Sequence, residues 1–233
     1  MIYLGKFDPL KDECVRVMDK DGNIINPKLM PKISPEEVLE AYKIMNLSRR
    51  QDIYQNTMQR QGRLLSFLSS TGQEACNELG AKSPDGVNSL PPNIVIGSQY
   101  SQATGIAFAE KYRKSGGVVV TTTGDGGTSE GETYEAMNFA KLHEVPVVFV
   151  FKAIATGTPS IKVDGNDYLA CIGVFKEVVE YVRNGNGPVF VECETYRLGA
   201  HSSSDNPDVY RPKDKQQEEL DAEHDKLVAA EFA

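Results

Sequence analysis

Residues 118–151 read VVVTTTGDGGTSEGETYEAMNFAKLHEVPVVFVF, and this stretch decides the fold. Six β-branched residues, 118–123, predict a strand buried on both faces, as in a parallel sheet. Gly124-Asp125-Gly126-Gly127 then makes a tight turn, and Thr128-Ser129-Glu130 opens a helix directly behind it. Ala136, Phe139, Ala140 and His143 are the expected packing face of that helix, the two alanines permitting close approach to a sheet. Pro146 stands inside a second apolar run, 145–151, which predicts the next buried strand. The unit is strand, glycine turn, helix, strand. It sets one carboxylate, Asp125, and several open backbone N–H groups at the start of a helix. Such a place suits a phosphate group bridged to the protein by a hard divalent cation.

The pattern extends in both directions. Upstream, residues 99–114 predict a helix with Ala103, Ile106 and Ala107 on one face and Gly116-Gly117 as its stop. Farther upstream, Ser34-Pro35-Glu36-Glu37 is a capping box with proline at the first helical position. Val38, Ala41, Tyr42 and Met45 recur behind it at helical spacing, so a helix runs to about Gln61 with Gly62 past its end. Downstream, residues 167–183 predict a helix, with Ile172, Phe175, Val179 and Val182 on its face. It is ended by Asn184-Gly185-Asn186-Gly187-Pro188, and 189–195 form a further strand. The tail from Gln216 reads as a charged amphipathic helix. Strands alternating with helices imply an α/β fold, a mostly parallel sheet with helices on both faces. Residues 1–33 read as an extended N-terminal arm with a short hairpin at Asp21-Gly22-Asn23, and 34–233 as a single domain.

Composition narrows the function. The chain has 233 residues, 40% hydrophobic, enough for a substantial core. A net charge of −8 argues against a nucleic-acid surface. No apolar stretch approaches a membrane span, and the first residues do not form a signal peptide. Cys14, Cys76, Cys171 and Cys193 are scattered, with no CxxC pair, so free thiols in a reducing cytoplasm are expected and a zinc site is not.

A bare GDG favours an ordinary N-cap turn, and the glycine spacing is neither that of a dinucleotide fingerprint nor that of a P-loop. The longer motif is more specific. GDGGTSEGETYEAMNFA resembles the thiamine-diphosphate motif of the α subunits of 2-oxo acid dehydrogenase E1 components, with the pyruvate branch the nearest match. SRRQDIYQNTMQRQGRLLSFLSSTGQEA, NIVIGSQYSQATGIAFA, IKVDGNDYLA and ETYRLGAHSSSDNPDVYRP resemble the same family in the same order. The resemblance implies a thiamine-diphosphate-binding fold in 34–233 and decarboxylation of a 2-oxo acid, pyruvate first and branched-chain acids as the alternative. The acyl group would pass to a lipoyl group on an E2 partner. It implies that Asp125 ligates the Mg²⁺ bridging the cofactor's diphosphate, and that Gly126 and Gly127 approach the phosphates. It implies that Ile94 and Ile96, otherwise plain core residues, hold the aminopyrimidine ring. His201 would line the active-site channel, a placement that its position just past a strand end also suits. Ser202 and Ser204 fall in what resembles a regulatory phosphorylation loop of some relatives. The glutamate that activates the aminopyrimidine belongs to a separate β subunit, so an α2β2 tetramer is expected.

The chain departs from the family near residues 79–82, 151–153 and 212–216. The Asn-Asn pair that closes the family motif is absent: the strand 145–151 runs straight into Lys152-Ala153-Ile154. One of those asparagines would be a metal ligand. A Tyr-Arg pair that grips the diphosphate is absent from the region where CNEL meets GAKSPDG. Micromolar binding needs about 8 kcal/mol, and a helix N-terminus contributes at most about 2 kcal/mol. The glycine turn alone does not hold the cofactor. Either the 233 residues join segments of a longer chain and leave out loops between them, or the chain is a shortened, non-catalytic subunit.

Overall fold

The computed structural model describes residues 1–7, 11, 13–65, 71–72, 95–150, 158–195, 200, 205–206 and 209. Ile94, His201, Ser202, Ser204, Cys76, the segments near 79–82, 151–153 and 212–216, and the tail helix from Gln216 lie outside the described residues. The chain forms two compact units. One is built on Met1–Val15, Ser89–Asp164 and Ala170–Glu194, the other on Arg16–Asn88, Gly165–Leu169 and Thr195–Ala233.

The first unit carries a five-stranded sheet among the described residues. Its strands are β1 (Cys14–Val15), β2 (Val119–Thr122), β3 (Val147–Val150), β4 (Ser160–Asp164) and β5 (Val189–Glu194), in the order β1-β4-β5-β3-β2. Every neighbouring pair is parallel. The fold is therefore α/β with a parallel sheet, as the alternating pattern predicts. All four residues of β3 are buried, which requires cover on both faces of the sheet. Phe149 anchors the core, 5.0 Å from the Tyr100 ring and 5.3 Å from the Phe190 ring between centroids. β4 breaks the sequence expectation: SIKVD mixes polar and apolar residues and was not anticipated as a strand. The arm also contributes more than a hairpin, because Cys14 and Val15 pair with Lys162 and Val163 at the sheet edge.

At the opposite edge of the sheet one helix, Gln99–Arg113, packs against β2 and β3, and a second, Gly131–Leu142, packs against it. Gln99–Arg113 follows the predicted span, but its buried residues are Tyr100, Ala103, Thr104 and Ala107. Ile106, expected on that face, is exposed. The helix Gly131–Leu142 buries Thr133, Ala136, Met137 and Ala140. Phe139 stands half in solvent, with its ring 4.2 Å from the His143 ring. The face is thus rotated from the expected one. Alanines and a threonine line the seam because small side chains let the helix approach closely, and the bulky Phe139 is turned outward. Lys111 closes the end of this helix by donating to the carbonyl oxygens of His143, at 2.7 Å, and Glu144.

A last helix, Tyr168–Arg183, lies in this unit from Ala170 onward. There the Glu177 carboxylate accepts the backbone N–H of Tyr3 at 3.1 Å and of Leu4 at 2.8 Å, pinning the N-terminus.

The second unit contains the long helix Pro35–Arg60. Its N-terminus forms as the sequence predicts: the Ser34 hydroxyl accepts from Glu37 N–H at 3.2 Å, and the Glu37 carboxylate accepts from Ser34 N–H at 2.9 Å. Gly62 beyond its end has φ +69°. The Asp19 carboxylate organises the turn at Asp21-Gly22-Asn23, accepting from the N–H of both Asp21 and Asn23, and Met18 bridges Ile24 across it. Its pKa lies below the usual carboxylate range, first because the Asn23 side chain hydrogen-bonds the charged form. Asp167, almost wholly buried, accepts from Val17 and Met18 N–H at 2.7 Å each.

No helix among the described residues is long and apolar enough to cross a membrane.

Candidate active site

In parallel sheets, sites form beyond the carboxyl ends of strands. β2 ends at Thr122, and Asp125 follows three residues later at the start of a short 3₁₀ turn, Asp125–Ser129. The helix proper begins at Gly131, not at Thr128 as the sequence suggested. The turn closes on itself. Gly127 N–H donates to the Gly124 carbonyl at 3.0 Å, and the Thr128 hydroxyl donates to the Asp125 carbonyl at 2.6 Å. Asp125 and Gly126 are exposed, whereas Gly127 is buried.

The glycines differ in what they do. A Cβ at Gly126 would meet nothing within 4 Å, so its backbone is open to a ligand. A Cβ at Gly127 would lie 2.3 Å from Thr123 Oγ1 and 2.9 Å from Thr123 Cγ2. Only glycine fits there, and its fit sets how closely the turn folds back over the strand end.

Ile96 lies at the other border of the site, 59% exposed despite its size. An exposed isoleucine just before a sheet-packed helix presents apolar surface to something other than its own core. Gly97, next to it, has φ +85°, and a Cβ there would meet Glu130 Cβ, Glu130 Cγ and Thr133 Oγ1 at 3.1 Å. The structure thus brings together Asp125, Gly126, Gly127 and the segment bearing Ile96. Ile94 and His201 lie outside the described residues.

Three residues of this neighbourhood were not singled out from the sequence. Gln99 donates its side-chain N–H to the Thr122 carbonyl at 2.9 Å, and its Oε1 is buried with no partner among the described residues. An amide oxygen left in that condition calls for a donor or cation absent from the described residues. Tyr100 donates its hydroxyl to the Val150 carbonyl at 3.0 Å, and burial holds its pKa well above the usual phenol range. Thr133 is wholly buried and donates its hydroxyl to the Gly127 carbonyl at 2.8 Å. The available signal was their position one turn from a glycine, which marks a close backbone approach. Across the helix pair, Ser101 hydrogen-bonds Glu132. Among the described residues, no group of three His, Cys, Asp or Glu side chains converges to hold a metal, so Asp125 supplies at most one such ligand.

The sequence matches a known family. The sequence model of the Dehydrogenase E1 component family matches residues 77–152 and 150–230, two pieces that meet just after β3. A protein named pyruvate dehydrogenase E1 component subunit alpha from Acholeplasma laidlawii is 36% identical, over 86% of this chain and 76% of its own length. Proteins of the same name from Mycoplasma genitalium and Staphylococcus aureus are 34% and 33% identical, over 87% and 89% of this chain and 74% and 73% of their own lengths. The first of these alignments runs over 263 positions, more than the 233 residues of this chain, so parts of the relative face gaps here. With the family model spanning most of the chain and three relatives above 30% identity, the chain belongs to the Dehydrogenase E1 component family.

Proposed function

We propose that this chain is the α subunit of a pyruvate dehydrogenase E1 that uses thiamine diphosphate and Mg²⁺. It would work in an α2β2 assembly with a β subunit and pass acetyl groups to a lipoylated E2 acyltransferase. The observation that carries the proposal is the Asp125 turn at the carboxyl end of β2, with its exposed carboxylate, open Gly126 and tightly fitted Gly127. The names of the relatives point to the same activity.

The residues present fit the diphosphate end of the cofactor. Asp125 offers a hard oxygen ligand to Mg²⁺, and Gly126 leaves room for phosphate oxygens beside its backbone. Ile96 offers apolar surface to the aminopyrimidine, and Ile94 is assigned the same task by resemblance. When bound, thiamine diphosphate supplies the nucleophilic carbon and the electron sink for decarboxylation. This chain contributes binding, orientation and exclusion of water. His201 is assigned to hydrogen bonding in the substrate channel and to assisting acyl transfer. The cytoplasm is the expected compartment, in keeping with four scattered cysteines that form no CxxC pair.

The missing Asn-Asn pair leaves one other reading to test. The break in the family match at residues 150–152 coincides with the missing Asn-Asn pair. A chain truly lacking that loop would be a non-catalytic subunit that keeps the fold and the β partner. One experiment separates the two. The chain is co-expressed with its β subunit, and CO₂ release is followed with Mg²⁺, thiamine diphosphate and either pyruvate or branched-chain 2-oxo acids. Release from pyruvate supports the catalytic reading. Release only from branched-chain acids shifts the substrate. An intact α2β2 assembly with no release and no cofactor binding establishes the non-catalytic subunit.

A further inference from the structure

We infer that Thr133 is a positioning residue whose hydroxyl holds the Gly127 peptide, and with it the Asp125 turn, to the helix Gly131–Leu142 at the diphosphate end of the cofactor site. The inference rests on the cofactor reading above and assigns a role to a residue outside the motif's glycines and acid.

Thr133 is wholly buried, and its Oγ1 donates to the Gly127 carbonyl at 2.8 Å. Gly127 is itself buried and wedged against Thr123. Its carbonyl accepts a second bond, from Glu130 N–H at 3.3 Å, which is long. The Thr133 hydroxyl is therefore the stronger of the two bonds that fix this peptide. The same Oγ1 faces Gly97 at the distance where a Cβ would touch it. The hydroxyl's bond is thus to the Asp125 turn, and the absence of a side chain at Gly97 leaves room for it. Removing the hydroxyl leaves the Gly127 carbonyl with only the long bond from Glu130 N–H and loosens the plane of the peptide two residues beyond Asp125.

The test uses Thr133→Val, which keeps the shape and loses the hydroxyl, and Thr133→Ser, which keeps the hydroxyl. Each is made in the full chain assembled with its β subunit. Two quantities are read: the Kd for thiamine diphosphate at saturating Mg²⁺, and amide hydrogen exchange across residues 124–130 without cofactor. The Val variant weakens binding about tenfold, equal to about 1.4 kcal/mol and the scale of one net hydrogen bond. It also speeds exchange in the turn, and its melting temperature falls by about 2–4 °C. The Ser variant recovers binding to within about twofold, since the donor is restored. Wild-type binding and exchange in the Val variant would overturn the inference, as would a Ser variant as impaired as Val. A wild-type assembly that binds no thiamine diphosphate would overturn the cofactor reading instead, and the exchange arm would still decide whether Thr133 holds the turn.

Discussion

Replacing Gly127 by alanine tests the geometry of the turn at its tightest point. The new Cβ would sit 2.3 Å from Thr123 Oγ1, 2.9 Å from Cγ2 and 3.2 Å from Cβ. Rotating Thr123 about χ1 exchanges its γ atoms but cannot remove the contact with Cβ, and threonine is stiff at χ1. The turn must therefore lift, and Asp125 with it. Inserting a methyl group into such a site costs about 1–3 kcal/mol. For a chain of this size each kcal/mol lowers the melting temperature by about 2–4 °C. The α2β2 assembly of Gly127→Ala should melt about 2–12 °C below wild type. Gly126→Ala should melt within about 2 °C of it, because nothing lies within 4 Å of that Cβ. Thr123→Ala removes the two closest atoms, so the double variant Thr123→Ala/Gly127→Ala should recover part of the loss relative to Thr123→Ala alone. Differential scanning calorimetry of the wild type and the four variants measures this directly. A Gly127→Ala protein as stable as wild type, or a double variant showing no coupling, would refute the argument from close packing.

Other consequences are independent of the turn. Tyr100→Phe removes a buried bond to the Val150 carbonyl, which keeps a second donor in Thr123 N–H at 3.2 Å, so denaturant titration should show a loss of about 1 kcal/mol. The raised pKa of Tyr100 keeps the phenol protonated in the folded protein while the unfolded chain ionises near pH 10. Its contribution is therefore intact below that pH and declines as pH rises above it, and urea midpoints between pH 9 and 11 should fall less steeply in Tyr100→Phe. Ser34→Ala opens the capping box of the long helix and should cost about 1 kcal/mol in the same assay. Asp167→Ala leaves the N–H groups of Val17 and Met18 without their buried carboxylate. Two charge-assisted bonds at about 1.5 kcal/mol each predict a loss of about 3 kcal/mol by urea titration.

Features governed by local chemistry were legible in the sequence. The Ser34 capping box, the span of the long helix and the stop at Gly62 depend on residues within a few positions of one another, and all formed where predicted. The runs at 118–123, 145–151 and 189–195 were legible as strands because they are continuously apolar or β-branched, but burial on both faces was wrong for 118–123: β2 is an edge strand, with Val120 and Thr122 exposed. β4 escaped notice because Ser160, Lys162 and Asp164 share one face of it, and Lys162 is buried beside Glu194, 3.2 Å away. A charged residue becomes tolerable in a sheet only when a neighbouring strand supplies its counterion, which period-two reading of one segment does not reveal. The two-residue strand β1 is likewise fixed by β4. The helix face near the site was misjudged at Phe139 because size was taken for burial, whereas close helix approach selects Thr133, Ala136 and Ala140. In the site itself, Asp125 and its glycines stood out by motif. Thr133 and Gln99 did not, because their importance lies in reaching a carbonyl of another segment.

Binding calorimetry on the assembled α and β chains tests the central claim most directly. Thiamine diphosphate is titrated with and without Mg²⁺ into wild type and Asp125→Ala. Wild type should bind saturably and only with Mg²⁺, and Asp125→Ala should weaken binding at least about a hundredfold, as befits loss of a direct metal ligand. Absence of binding in wild type, or equal affinity in the two proteins, would contradict the assignment of the Asp125 turn as the cofactor's metal-binding end.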